Sequence, residues 1–106
     1  MEAHKAGICC HKLAIQSAMT YAGTYRIKKE SDKKTVHKDE NGNVNYDIIS
    51  GNDGFRIAYG GFSVYGTGWY VLAPAGGGLA WNVKDSSQCP PFGEWEGYGA
   101  VVSCLD

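Results

Sequence analysis

A chain of 106 residues, 43% of them hydrophobic, can build one compact core but not two, and it is too apolar to stay disordered. Its fifteen glycines are about twice the usual share, and without a Gly-X-Y period they exclude collagen and argue for many turns. The net charge of -1 hides an asymmetry: residues 1–38 carry +5 and residues 39–106 carry -6. Lys28, Lys29, Lys33, Lys34 and Lys38 then read as the solvated face of one exposed hairpin.

No apolar run is long enough for a membrane helix. Met1 to Gly7 is polar and lacks the apolar stretch of a signal peptide. The chain is therefore either cytosolic or the mature part of a secreted protein with an added methionine. The cysteines favour the second reading. Cys9, Cys10, Cys89 and Cys104 are even in number and stand at the two ends of a small glycine-rich chain, which suggests disulfides and a secreted protein. Adjacent cysteines rarely bond each other, which leaves two cross-chain pairings. Cys9–Cys89 with Cys10–Cys104 is the one preferred.

In chain order, residues 1–8 are expected to be a flexible segment and residues 9–106 a single β-domain. Leu13 and Ile15 alternate with polar or small neighbours as a first strand. Gln16 to Thr20 could add a helical turn. Tyr25 and Ile27 alternate with Thr24, Arg26 and Lys28. A polar turn over residues 29–34 leads to a return strand, Thr35 to Lys38, and Asn41-Gly42 is the strongest hairpin signal. Val44, Tyr46 and Ile48 form an apolar face, and Ser50 to Gly54 is a turn.

Residues 54–83 hold Phe55, Tyr59, Phe62, Tyr65, Trp69, Tyr70 and Trp81 in short runs between glycines. Phe55, Ile57 and Tyr59 alternate, and Gly60-Gly61 reads as a turn. Trp69 to Leu72 suits a strand buried on both faces, ended by Pro74. Gly76-Gly77-Gly78 turns the chain. Leu79, Trp81 and Val83 then alternate with Ala80, Asn82 and Lys84. Asp85 to Trp95 has no period, and Pro90-Pro91 cannot join a ladder, so it reads as a loop. Tyr98 to Cys104 is a last strand with Ala100 and Val102 inward. The expected fold is all-β, a small antiparallel sandwich or barrel of about seven to eight short strands, with the first and last strands adjacent.

The order of landmarks carries a resemblance. Cys10, Leu13 and Ile15 precede Gly23-Thr24-Tyr25; Asn41-Gly42, Val44 and Tyr46 follow; then come Gly54 to Tyr59, Gly68-Trp69-Tyr70-Val71, and Leu79-Ala80-Trp81 after a Gly-rich turn. The chain ends with Cys89-Pro90, Trp95 and Val102-Ser103-Cys104. This resembles a cysteine-bounded, Gly/Trp/Tyr-rich module repeated in many predicted secreted proteins of marine invertebrates and algae. The resemblance implies an extracellular β-rich module and brings no catalytic residues with it.

Sites of chemistry are few. His4, Cys9, Cys10 and His11 lack zinc-finger spacing. Asp39, Asn41, Asn43, Asn45 and Asp47 resemble the start of a calcium loop, but Val44 stands where an EF-hand needs glycine. No metal or cofactor is therefore expected. Glu94 and Glu96 flank Trp95 and could serve a small hydrolase as acid and base. Tyr65, Trp69, Tyr70, Trp81, Trp95 and Tyr98 exceed what a small core needs, and some are expected to be exposed as stacking platforms. Bases and aromatics lie mostly in different halves, so no nucleic-acid groove is evident. The expected function is an extracellular, non-catalytic recognition module, most plausibly for carbohydrate, with Trp69, Tyr70, Trp81 and Trp95 as stacking residues. The alternatives are an adhesive matrix module working through protein contacts, and the Glu94/Glu96 hydrolase.

Overall fold

The computed structural model describes residues 9–28, 44–83 and 89–105. Nine short strands make up one antiparallel sheet: β1 (Lys12–Gln16), β2 (Gly23–Ile27), β3 (Tyr46–Gly51), β4 (Arg56–Ser63), β5 (Gly66–Leu72), β6 (Gly78–Asn82), β7 (Gly93–Glu94), β8 (Glu96–Gly97) and β9 (Val101–Cys104). No helix occurs among the described residues. The expectations for residues 1–8, for the return strand Thr35–Lys38 and for the Asn41-Gly42 turn lie outside them.

The strand order is β7-β9-β1-β2-β3-β4-β5-β6-β8. Its two edges, β7 and β8, are consecutive in the chain and separated by one residue, Trp95. The sheet has therefore curled until its edges meet through a single peptide segment, giving a nearly closed, barrel-like domain. If β7 and β8 count as one strand broken at Trp95, the order becomes an eight-strand meander in which every strand neighbours its predecessor and β9 returns to β1. Near-closure of this kind leaves only two-residue edge strands, which offer little to pair with other chains.

Alternation decides what faces inward. Leu13, Ile15, Tyr25, Ile27, Tyr46, Ile57, Trp69, Val71, Ala80 and Val102 form one core cluster with Tyr21, Phe55 and Trp95. Large rings fill the interior: Trp69, Tyr21, Tyr25 and Tyr46 are all essentially buried. Buried tyrosines need partners for their hydroxyls. The Tyr25 hydroxyl donates to the Tyr21 carbonyl at 2.6 Å, and the Tyr46 hydroxyl donates to the Cys10 carbonyl. The Trp69 ring meets Tyr59 edge to face, with centroids 5.5 Å apart.

Both disulfides lie at the end of the barrel where β1 starts and β9 stops. Cys9 bonds Cys89 and Cys10 bonds Cys104, with Cα atoms 5.6 and 5.9 Å apart. This is the preferred pairing. Leu13 lies opposite Cys104 across β1 and β9, so first and last strands are neighbours, as expected.

Three local expectations are corrected. Residues 17–22 form a tight turn, closed by the Ala22 N–H donating to Met19 O, and not a helical turn. Gly60-Gly61 does not turn the chain: β4 runs through both, and the reversal comes at Val64-Tyr65. The stretch before Trp95 is not wholly loop, because Gly93-Glu94 pairs with Val102 and Val101.

Candidate functional site

The outer face of β4, β5, β6 and β8 carries the site. The register sets Ala58, Tyr70, Trp81 and Glu96 in one row across the four strands. Ile57, Val71, Ala80 and Gly97 make the adjacent row, and its Ile57, Val71 and Ala80 belong to the core. The outward row is unusual in being aromatic. Tyr70 and Leu72 are buried although they lie outside the core cluster. A neighbouring ring covers Tyr70.

Phe62 provides this cover. Between the Gly60–Gly68 and Ser63–Gly66 pairs, two residues of β4 (Gly61 and Phe62) stand against Thr67 alone. This bulge re-aims Phe62. Its ring meets Tyr70 edge to face at 5.7 Å and lies over Gly60, where a Cβ would come within 2.8 Å of it. Tyr65 covers the neighbouring Trp81. It sits in the two-residue turn between β4 and β5, its N–H donating to the Ser63 hydroxyl at 3.3 Å. Its ring stacks on Trp81 with centroids 4.2 Å apart and planes 8° from parallel. The Tyr70 hydroxyl donates to the Gly66 carbonyl, tying the ring to the start of its own strand.

Beside these rings lies a groove of about 420 Å³ lined by Tyr65, Gly78, Leu79, Trp81, Glu96, Gly97 and Tyr98. That volume falls within the range of small-ligand sites. Close packing requires glycine at two of these positions. A Cβ at Gly78 would meet the Tyr70 ring at 2.9 Å, and one at Gly97, where φ is +118°, would meet the Leu79 carbonyl oxygen at 2.8 Å. Tyr98 is 62% exposed and Tyr65 56%. The Ser17 hydroxyl donates to the Tyr98 carbonyl at 3.3 Å, which anchors that turn to the end of β1.

The four stacking residues expected from sequence separate sharply. Trp69 and Tyr70 have no exposed surface, and Trp95 has almost none. Stacking on a ligand needs a ring face open to solvent, so these three serve the packing. Trp81 alone of the four lines the groove. The rings beside it, Tyr65 and Tyr98, stand in the sequence only among the surplus aromatics. Their signal was position: each lies in a turn flanked by glycine, where no strand face is available to bury a ring.

Trp95 has a different task. Its backbone N–H donates to the Ala100 carbonyl and its indole N–H to the Pro91 carbonyl, both at 2.9 Å. It therefore plugs the junction between the two sheet edges. Glu94 and Glu96 consequently flank an inward ring and are both exposed. They lack the apolar enclosure on which glycoside-cleaving acids depend. All four thiols are consumed in disulfides. Among the described residues no group of three or more His, Cys, Asp or Glu side chains is placed to hold a metal ion.

Comparison with protein-family models, with curated proteins and with solved structures finds no match for this chain.

Proposed function

We propose that the protein is an extracellular, non-catalytic recognition module that binds carbohydrate in the groove beside Trp81. The observation that carries this reading is the grouping of Tyr65, Trp81 and Tyr98 with one carboxylate, Glu96, around an open groove. Pyranose rings present C–H faces that pack on aromatic planes, and their hydroxyls donate to a carboxylate. The disulfides support an oxidising compartment.

The test is calorimetric titration with a panel of oligosaccharides. Trp81→Ala is expected to weaken binding by about 1–2 kcal/mol, or roughly tenfold. Ile49→Ala, on the exposed part of β3, is expected to leave it unchanged. Equal binding by wild type and Trp81→Ala would remove the reading.

A second reading rests on the tip of the β4–β5 hairpin, where Val64 is 96% exposed between Phe62 and Tyr65. Such a tip suits an adhesive contact with another protein. Sedimentation that becomes concentration-dependent in wild type but not in Val64→Asp would favour it.

A further inference from the structure

We infer that the groove selects an oligosaccharide carrying free amino groups, a polymer of 2-amino-2-deoxyhexose, over neutral and acidic chains. This rests on the carbohydrate reading and specifies its ligand. Charge carries the argument. Glu96 is the only charged residue lining the groove among the described residues, and it lies beside Trp81 in the strand register. Glu94, two residues before it on the same broken strand, is also exposed; since Trp95 points inward, both carboxylates fall on the outer side. No lysine, arginine or histidine among the described residues lines the groove. Arg56, the outward base of this part of the sheet, lies two strands from β6, and its guanidinium donates to the Ala73 carbonyl at 3.4 Å.

An ammonium group is attracted by a carboxylate and by the negative face of an aromatic ring. Here both lie next to each other. A neutral sugar keeps the ring contact and loses the charge pair. A uronic or sulfated sugar meets repulsion from Glu96 and from the ring faces together. The same exposed surface that leaves Glu96 wet makes the charge contribution modest and sensitive to salt.

The experiment titrates the folded protein with a glucosamine oligomer, its fully N-acetylated counterpart of equal length and a uronic acid oligomer, each at low and high salt. The amine oligomer is expected to bind about three- to fivefold tighter than the acetylated one at low salt. That margin shrinks as salt rises and disappears in Glu96→Gln, while the uronic oligomer binds weakest. Tyr98→Ala, a change at an exposed turn, lowers affinity for the amine and acetylated chains alike and checks that both use the groove. If the acetylated oligomer binds as well as the amine and Glu96→Gln changes nothing, the amine selectivity is wrong and the carbohydrate reading stands. If no oligomer binds, both are wrong. If tetramethylammonium competes as strongly as the amine oligomer, the sugar contributes nothing and the inference is overturned.

Discussion

Single side chains decide whether this sheet closes. Trp95 carries two hydrogen bonds at the junction of the edges and almost no exposed surface. Trp95→Phe keeps a ring but strands the Pro91 carbonyl, at an expected cost of about 1–2 kcal/mol. Trp95→Ala adds a cavity and is expected to cost about 3–5 kcal/mol. Urea unfolding of the two variants checks both values. Tyr25 makes the fold sensitive to alkali. Burial raises its pKa above the ordinary tyrosine value, and nearby Tyr21 adds to the rise. Above about pH 10 the unfolded chain gives up this proton while the folded state keeps it, so stability falls as pH rises, by up to about 1.4 kcal/mol per unit. Tyr25→Phe loses the bond to Tyr21 O and is less stable at neutral pH, but its alkaline decline, followed by thermal melts, is shallower. Which ring lies inside was only partly legible at this scale. Tyr25, Tyr46 and Ile57 follow plain alternation. On β6 small Ala80 is fully buried while the larger Leu79 and Trp81 are only half-buried, an order that side-chain size does not foretell.

The elements themselves were largely readable. Period-two alternation located β1, β2 and the first half of β4, and the continuous run Trp69 to Leu72 marked a strand covered on both sides; β3 and β9 were located with displaced ends, since Ser50 and Gly51 extend β3 instead of turning and the last strand begins at Val101, not Tyr98. What failed was the meaning of glycine inside a strand. Gly60 and Gly61 look like a turn, yet they make room for Phe62 at a bulge, a relation set by a ring two residues away and a partner strand eight away. Gly60→Ala is expected to push the Phe62 ring off Tyr70 and to cost about 1–3 kcal/mol. At Gly97 both the positive φ and the Leu79 carbonyl oppose a side chain. Gly97→Ala should likewise cost about 1–3 kcal/mol and loosen the β6–β8 pairing. Differential scanning calorimetry gives the cost, and amide exchange at Ala80 and Trp81 gives the loosening.

For the whole molecule, alternation predicted a sandwich or barrel, and the choice between them needed pairings between distant residues that no local pattern encodes. The cysteines came closest to supplying it. Bridges spanning 80 and 94 residues tie the start of β1 to the end of β9 and to the approach to β7. They restrict the unfolded chain most when such loops are long, so losing either one, as in Cys9→Ser/Cys89→Ser, is expected to cost about 2–5 kcal/mol. Chemical denaturation with and without reductant measures this. The groove is a product of closure as well. Glu96 reaches Trp81 only because β8 completes the sheet against β6, so a variant that opens the Trp95 junction is expected to lose ligand affinity along with stability.

Whether sugar sits in the groove is decided by following the three indole N–H resonances by NMR while an oligosaccharide is added to the folded protein. Trp81 lines the groove, whereas Trp69 and Trp95 are buried in the core. A saturable shift at the Trp81 indole with the other two unmoved is the predicted result. A saccharide that binds while the Trp81 resonance stays still, or no shift with any saccharide in the panel, would contradict it.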